Sequence, residues 1–101
     1  MPYDYKHCGV DKTLKVISSK WTMHILHNLF EGEKRFGQLE KSLAISPKTL
    51  SLRLRELEKH GIIKKKIFQE VPLHVEYSLT QKGRSLDDIF ADMAKWGQRS
   101  A

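Results

Sequence analysis

A chain of 101 residues, 40% of them apolar and 30% charged, has the composition of one modest globular domain rather than a disordered or fibrous protein. No run approaches the ~18 uncharged apolar residues of a membrane-crossing helix, and Met1-Pro2-Tyr3-Asp4-Tyr5-Lys6 lacks the apolar stretch of a secretory leader. The single cysteine, Cys8, excludes an internal disulfide framework and fits a reducing, cytoplasmic setting.

Residues 1–7 read as a short arm and 8–101 as the domain. Val10, Leu14 and Ile17 share a helical face, which predicts a first helix over Val10–Ile17 with that face turned inward. Ser18-Ser19 offers a cap, and Trp21, Ile25, Leu26 and Leu29 mark a second amphipathic helix that ends near Phe30, before Glu31-Gly32-Glu33. Phe36, Leu39 and Leu43 predict a short third helix. At Ser46-Pro47 a good N-cap is followed by proline at the first helical position, where its missing N–H is harmless. The helix begun there carries Leu50, Leu54 and Leu57 on one face and ends at His60-Gly61. Two short helices joined by a tight turn make a helix-turn-helix.

Beyond Gly61 the period changes to two. Ile63, Lys65 and Ile67, then Val75, Tyr77 and Leu79, predict a hairpin with its tip near Glu70–Leu73. Thr80 then caps a final helix bearing Leu86, Ile89, Phe90, Met93 and Trp96. This order predicts an α+β, mainly α fold: a winged helix-turn-helix with flanking N- and C-terminal dimerisation helices.

The formal net charge is +6, and its placement says more than its size. Between Pro47 and Lys66 lie seven basic residues (Lys48, Arg53, Arg55, Lys59, Lys64, Lys65, Lys66) and two acids (Glu56, Glu58), so this segment holds +5 of the total. A basic run is either a solvated face or a footprint for a polyanion. On a helix turning about 100° per residue, Lys48, Leu52, Arg55 and Lys59 lie opposite the three leucines, with Thr49 and Ser51 flanking. Such a helix fits the DNA major groove, where its N-terminal part reaches base edges. Ser46, Lys48, Thr49, Ser51 and Leu52 are therefore candidates for contact near bases. Arg53 and Arg55 are candidates for bases or phosphates, and Lys59 for a phosphate. Leu52 is either tucked against a neighbour or placed to meet a thymine methyl. Lys64, Lys65 and Lys66 either guard an edge strand or touch phosphates. The wing tip, Glu70-Val71-Pro72-Leu73-His74, is not basic, so His74 contributes there chiefly when protonated.

The final helix carries more apolar surface than the core requires. Leu86, Ile89, Phe90, Met93 and Trp96 are accordingly assigned to a homodimer interface, which would present two recognition helices to half-sites about one DNA turn apart. Cys8, beside Lys6, His7 and Lys12, is either an inert small residue or a candidate redox sensor, because cationic neighbours favour the reactive thiolate. No zinc-protease, paired-cysteine or phosphate-loop motif is present, and His24 with His27 alone makes a thin metal site. The expectation is no enzyme, no metal and no cofactor.

Five stretches, in order, resemble the HxlR-type winged helix-turn-helix regulators, relatives of the MarR superfamily. They are Cys8-Gly9-Val10, Ile17-Ser18-Ser19-Lys20-Trp21-Thr22, Arg35-Phe36-Gly37-Gln38-Leu39, Leu50-Ser51-Leu52-Arg53-Leu54-Arg55-Glu56-Leu57-Glu58 and Tyr77-Ser78-Leu79-Thr80-Gln81-Lys82-Gly83. The resemblance implies a cytoplasmic dimer on palindromic operators, usually a repressor, and in some members a cysteine matching Cys8 that senses electrophiles or oxidants. Three positions depart from the family pattern: Gly9 stands where proline often follows the cysteine, His74 where the wing is commonly basic, and Leu52 where a polar residue is usual. The rival class is a protein-docking module, since a winged helix does not by itself dictate function. Charge on the recognition helix favours double-stranded DNA, and no membrane partner is expected.

Overall fold

The computed structural model describes residues 9–100. In chain order the elements are α1 (Gly9–Ile17), α2 (Lys20–Phe30), β1 (Lys34–Arg35), α3 (Phe36–Leu43), α4 (Pro47–Lys59), β2 (Ile63–Phe68), β3 (His74–Leu79), α5 (Gln81–Arg84) and α6 (Leu86–Ser100). The three strands form an antiparallel sheet in the order β1-β3-β2, with Ile63 opposite Leu79 and Phe68 opposite His74. Helices α3 and α4 with the β2–β3 hairpin complete a winged helix-turn-helix.

The core is built where the helical stripes converge. Ile25, Leu26 and Leu29 of α2, Leu39 of α3, and Leu50, Leu54 and Leu57 of α4 are all buried, joined by Ile45, Ile62, Ile63 and Leu79. Burying an aliphatic side chain is worth about 1.5–3 kcal/mol, so these residues fix how α4 sits against the body. Trp21, Phe36, Leu43 and Tyr77 pack around this cluster without being fully buried.

Turn chemistry follows the sequence closely at two junctions. Gly61 has φ +74, the left-handed conformation that glycine adopts without a Cβ penalty, just after α4 ends. Ala44 takes the same region (φ 50) between α3 and α4, where the turn must be tight and no glycine is available.

Two expectations need correction, and one strand was not foreseen. Val10 and Leu14 do not face the core: of the α1 stripe only Ile17 is buried. The helix after Thr80 is not continuous. Thr80 caps only α5, its Oγ1 accepting the Gly83 N–H at 3.1 Å, and the chain turns again at Ser85 before α6. Gly83 is buried against the Ile62 carbonyl so closely that any Cβ there would collide with it, and this pins α5 to the start of β2. Finally, β1 has no sequence signature, because two residues carry no periodicity. It exists because Lys34 and Arg35 lie alongside Tyr77 and Glu76 of β3.

Candidate nucleic-acid interface

Helix α4 is positioned by its own start signal. Ser46 is extended (φ −66, ψ 146); its Oγ accepts the Thr49 N–H at 3.2 Å and donates to Thr49 Oγ1 at 2.9 Å. A capping serine of this kind stabilises a helix by about 1 kcal/mol. The same geometry changes the role expected of Ser46: its hydroxyl is engaged in the cap, and the proton left to donate outward belongs to Thr49.

Opposite the buried leucines, Lys48, Ser51, Leu52, Arg55 and Lys59 are all exposed. Leu52 is therefore not tucked against a neighbour; an apolar side chain stands on the open face. Only one of the two acids of α4 is turned away from that face. Half-buried Glu58 lies toward the sheet, close enough to Tyr77 to act on it: burial first, and then the Glu58 charge, pushes the Tyr77 hydroxyl above its ordinary value of 10.0. Glu56 is engaged by Arg53, whose Nη1 lies 3.2 Å from both carboxylate oxygens. What remains outward is a mainly cationic face with one leucine in it and Glu56, paired with Arg53, at its edge.

The three lysines of β2 do not share a surface. Strand residues alternate sides, so Lys64 and Lys66, opposite Ser78 and Glu76, point away from Lys65, which lies opposite Tyr77 on the core-facing side. Because β2 is an edge of the sheet, charge there also discourages strand addition by another chain. Lys66 lies over the Phe68 ring at 5.0 Å. His74 is held rather than free: its ring stacks on Phe68 at 4.6 Å, and its Nε2 is 3.3 Å from Glu76 with the side chain only 15% exposed. The wing histidine thus presents little surface, and the tip beyond it offers exposed Val71 and Leu73.

The predicted apolar surplus of the last helix splits in two. Leu86 is buried in this domain's own core, and Phe90 packs edge-on against Phe30 at 6.1 Å, so neither is a free interface residue. Ile89, Met93 and Trp96 are exposed. Ile89 and Met93 join Val10, Leu14, Thr13 and Ile17 of α1 in an open apolar groove of about 540 Å³. Val10 and Leu14 were missed as surface residues because helical apolar spacing looks the same whichever partner covers it. Glu56 was missed because an acid in a basic run reads as solvated. Cys8 lies outside the described residues. Among the described residues there is no cluster of three or more metal-ligating side chains, and no helix is long and apolar enough to cross a membrane.

Comparison with known proteins agrees with this geometry. The family model described as HxlR-like helix-turn-helix matches residues 16–101. The chain is 40% identical over 97 residues to YdeP, an uncharacterised HTH-type transcriptional regulator of Bacillus subtilis, covering 95% of this chain and 76% of that one. A MarR-family transcriptional regulator of Porphyromonas gingivalis has the same fold, with a TM-score of 0.89 at 34% identity over 100% of both chains. The reduced form of the B. subtilis transcriptional regulator YodB matches with a TM-score of 0.86 at 32% identity, covering 93% of this chain and 94% of that one, and its diamide-treated form matches at 0.80. A cationic recognition helix on a winged helix-turn-helix, together with these matches, shows that the chain belongs to the HxlR-like helix-turn-helix family of MarR-like DNA-binding transcription regulators.

Proposed function

We propose that this chain is a cytoplasmic, sequence-specific repressor that acts as a homodimer on palindromic operators, with thiol chemistry at Cys8 gating its release. The observation that carries the DNA reading is the outward face of α4, where Lys48, Ser51, Arg55 and Lys59 stand exposed while Glu58 is half-buried and Glu56 is paired with Arg53. Positive charge on one projecting helix steers and holds a phosphate backbone, and exposed side chains in the first turns reach base edges. The α1–α6 groove supports the dimer: Val10, Leu14, Ile89 and Met93 form one apolar strip that a second copy would cover. Two copies would then place their α4 helices in successive major grooves about 34–36 Å apart.

The test is a gel shift on the DNA upstream of the chain's own gene at several salt concentrations. A two-step rise in affinity is expected: non-specific binding at low salt, and retention of one palindromic site as salt increases. No binding even at low salt overturns the DNA reading, because counterion release alone should register there.

Thiol gating rests on the cations beside Cys8 and on the two YodB forms. Diamide takes two electrons and two protons from a pair of thiols, leaving a disulfide between the Cys8 residues of two subunits or between Cys8 and a small thiol. Cys8→Ser should bind the operator normally and ignore diamide. Unchanged release by diamide in that variant removes Cys8 from the mechanism.

A further inference from the structure

One residue of the recognition helix works against the charge that surrounds it. A carboxylate on a helix that approaches phosphates weakens binding to every sequence, yet Glu56 stands half-exposed among Arg53, Arg55 and Lys59. Its contacts give the reason. Arg53 Nη1 lies 3.2 Å from Glu56 Oε1 and 3.2 Å from Oε2. The Arg53 side chain is 30% exposed, and its Nε is buried without a hydrogen-bond partner. Among the described residues Nη2 has no partner either. The guanidinium is thus sunk at its root and gripped at one corner, with the other corner left open.

An ordinary solvated pair one helical turn apart is loose and contributes little, and it has no reason to strand a donor away from water, which is unfavourable. Such an arrangement becomes useful if the side chain must already point in one direction when a partner arrives. Arginine has much rotamer freedom to lose on binding, and a fixed guanidinium has lost most of it beforehand. The pair also has a readable chemistry. The free Nη2 donates, and the Glu56 carboxylate beside it accepts. On the major-groove edge of DNA, guanine offers the two Nη2 protons adjacent acceptors, N7 and O6, and its paired cytosine offers the carboxylate the N4 donor, whereas A·T places the adenine N6 donor against Nη2 and the thymine O4 acceptor against the carboxylate.

We propose that Arg53 and Glu56 act as one unit that reads a single G·C base pair, with Glu56 positioning Arg53 and setting sequence preference at the expense of general affinity. This rests on the reading of α4 as the DNA-contacting helix. It goes further by assigning the function of the acid and the base pair it selects.

The experiment uses sites enriched from a random DNA library by the wild-type protein. Binding of wild type, Arg53→Ala, Glu56→Ala and the double variant is measured on the enriched site, on copies with each G·C pair replaced by A·T, and on unrelated DNA. One G·C pair should be preferred about 5–150-fold by wild type, the range of a well-matched base contact. Glu56→Ala should reduce that preference to a few-fold while binding unrelated DNA as well as wild type or better, and in the Arg53→Ala background it should change the preference no further. In the free protein, NMR should find slow guanidinium rotation for Arg53 in wild type and fast rotation in Glu56→Ala. If Glu56→Ala strengthens or weakens all DNAs by one factor and keeps the G·C preference, the inference is overturned and the DNA reading stands. If wild type enriches no site and binds nothing, both fall.

Discussion

Helices α4 and α6 carry apolar stripes of similar look, and the fold uses them in opposite ways. In α4 the stripe is finished inside the domain: Leu50, Leu54 and Leu57 are 0%, 2% and 2% exposed. Along α6 exposure climbs from 8% at Leu86 to 42% at Ile89, 43% at Met93 and 61% at Trp96. The first helix is therefore held by its own chain, with its polar face free to meet DNA. The second leaves the body after one anchored turn and keeps apolar area uncovered. Hydrophobic periodicity announces that a face will be buried; it is silent on which molecule buries it. On the proposed homodimer, the contrast gives the two helices different kinds of stability, one independent of concentration and one dependent on it.

The largest effect should come from the closed side. Leu54→Ala removes a fully enclosed side chain from the centre of the core, which costs about 2–5 kcal/mol against a total stability of order 5–15 kcal/mol. Its urea midpoint should fall steeply, and by the same amount at any protein concentration. A shift below about 1 kcal/mol would mean that α4 is less firmly seated than its burial indicates.

Met93→Asp probes the open side. In an isolated subunit the site is partly solvated, so folding should change little, within about 0.5 kcal/mol for a surface replacement. The charge would lie in the Val10–Leu14–Ile89 groove, where a second copy has no cation to meet it among the lining residues. Sedimentation should show a dimer for wild type and a monomer for the variant, and the wild-type melting temperature alone should rise with concentration. A variant that remains dimeric would move the interface off this groove.

Much of this fold was legible because local signals agreed with one another. Ser46-Pro47, the leucines of α4 and Gly61 each specify one boundary or face, and the structure places them as expected. The break at Ser85 was not legible, because the seat of α5 before it, with Gly83 against Ile62, is a contact between residues far apart in sequence. The candidate interface was legible in composition and less so in orientation. The triplet Lys64-Lys65-Lys66 reads as one patch until the pairing with β3 assigns its members to two sides. Ser46 reads both as a cap and as a contact near bases, and its hydroxyl is found in the cap; His74 reads as a free wing residue until Phe68 and Glu76 are found holding it. For the lysines and for His74 the residue type was visible, and a neighbour on the facing strand redirects it.

The smallest effects should separate the lysines of the DNA-facing half. Lys59, exposed at the end of α4, should behave as a phosphate contact: Lys59→Ala weakens enriched and unrelated DNA alike and lowers the slope of log affinity against log salt by about 1. On β2 the pleat makes a sharper demand. Lys64 and Lys66 share a side, so Lys64→Ala and Lys66→Ala should change the slope together, both by about 1 or both by nothing, with Lys65→Ala doing the opposite. Equal slopes for all three single variants would mean that the strand meets DNA edge-on, or not at all. The second case would leave their charge only the task of keeping the edge of β2 from pairing with another chain.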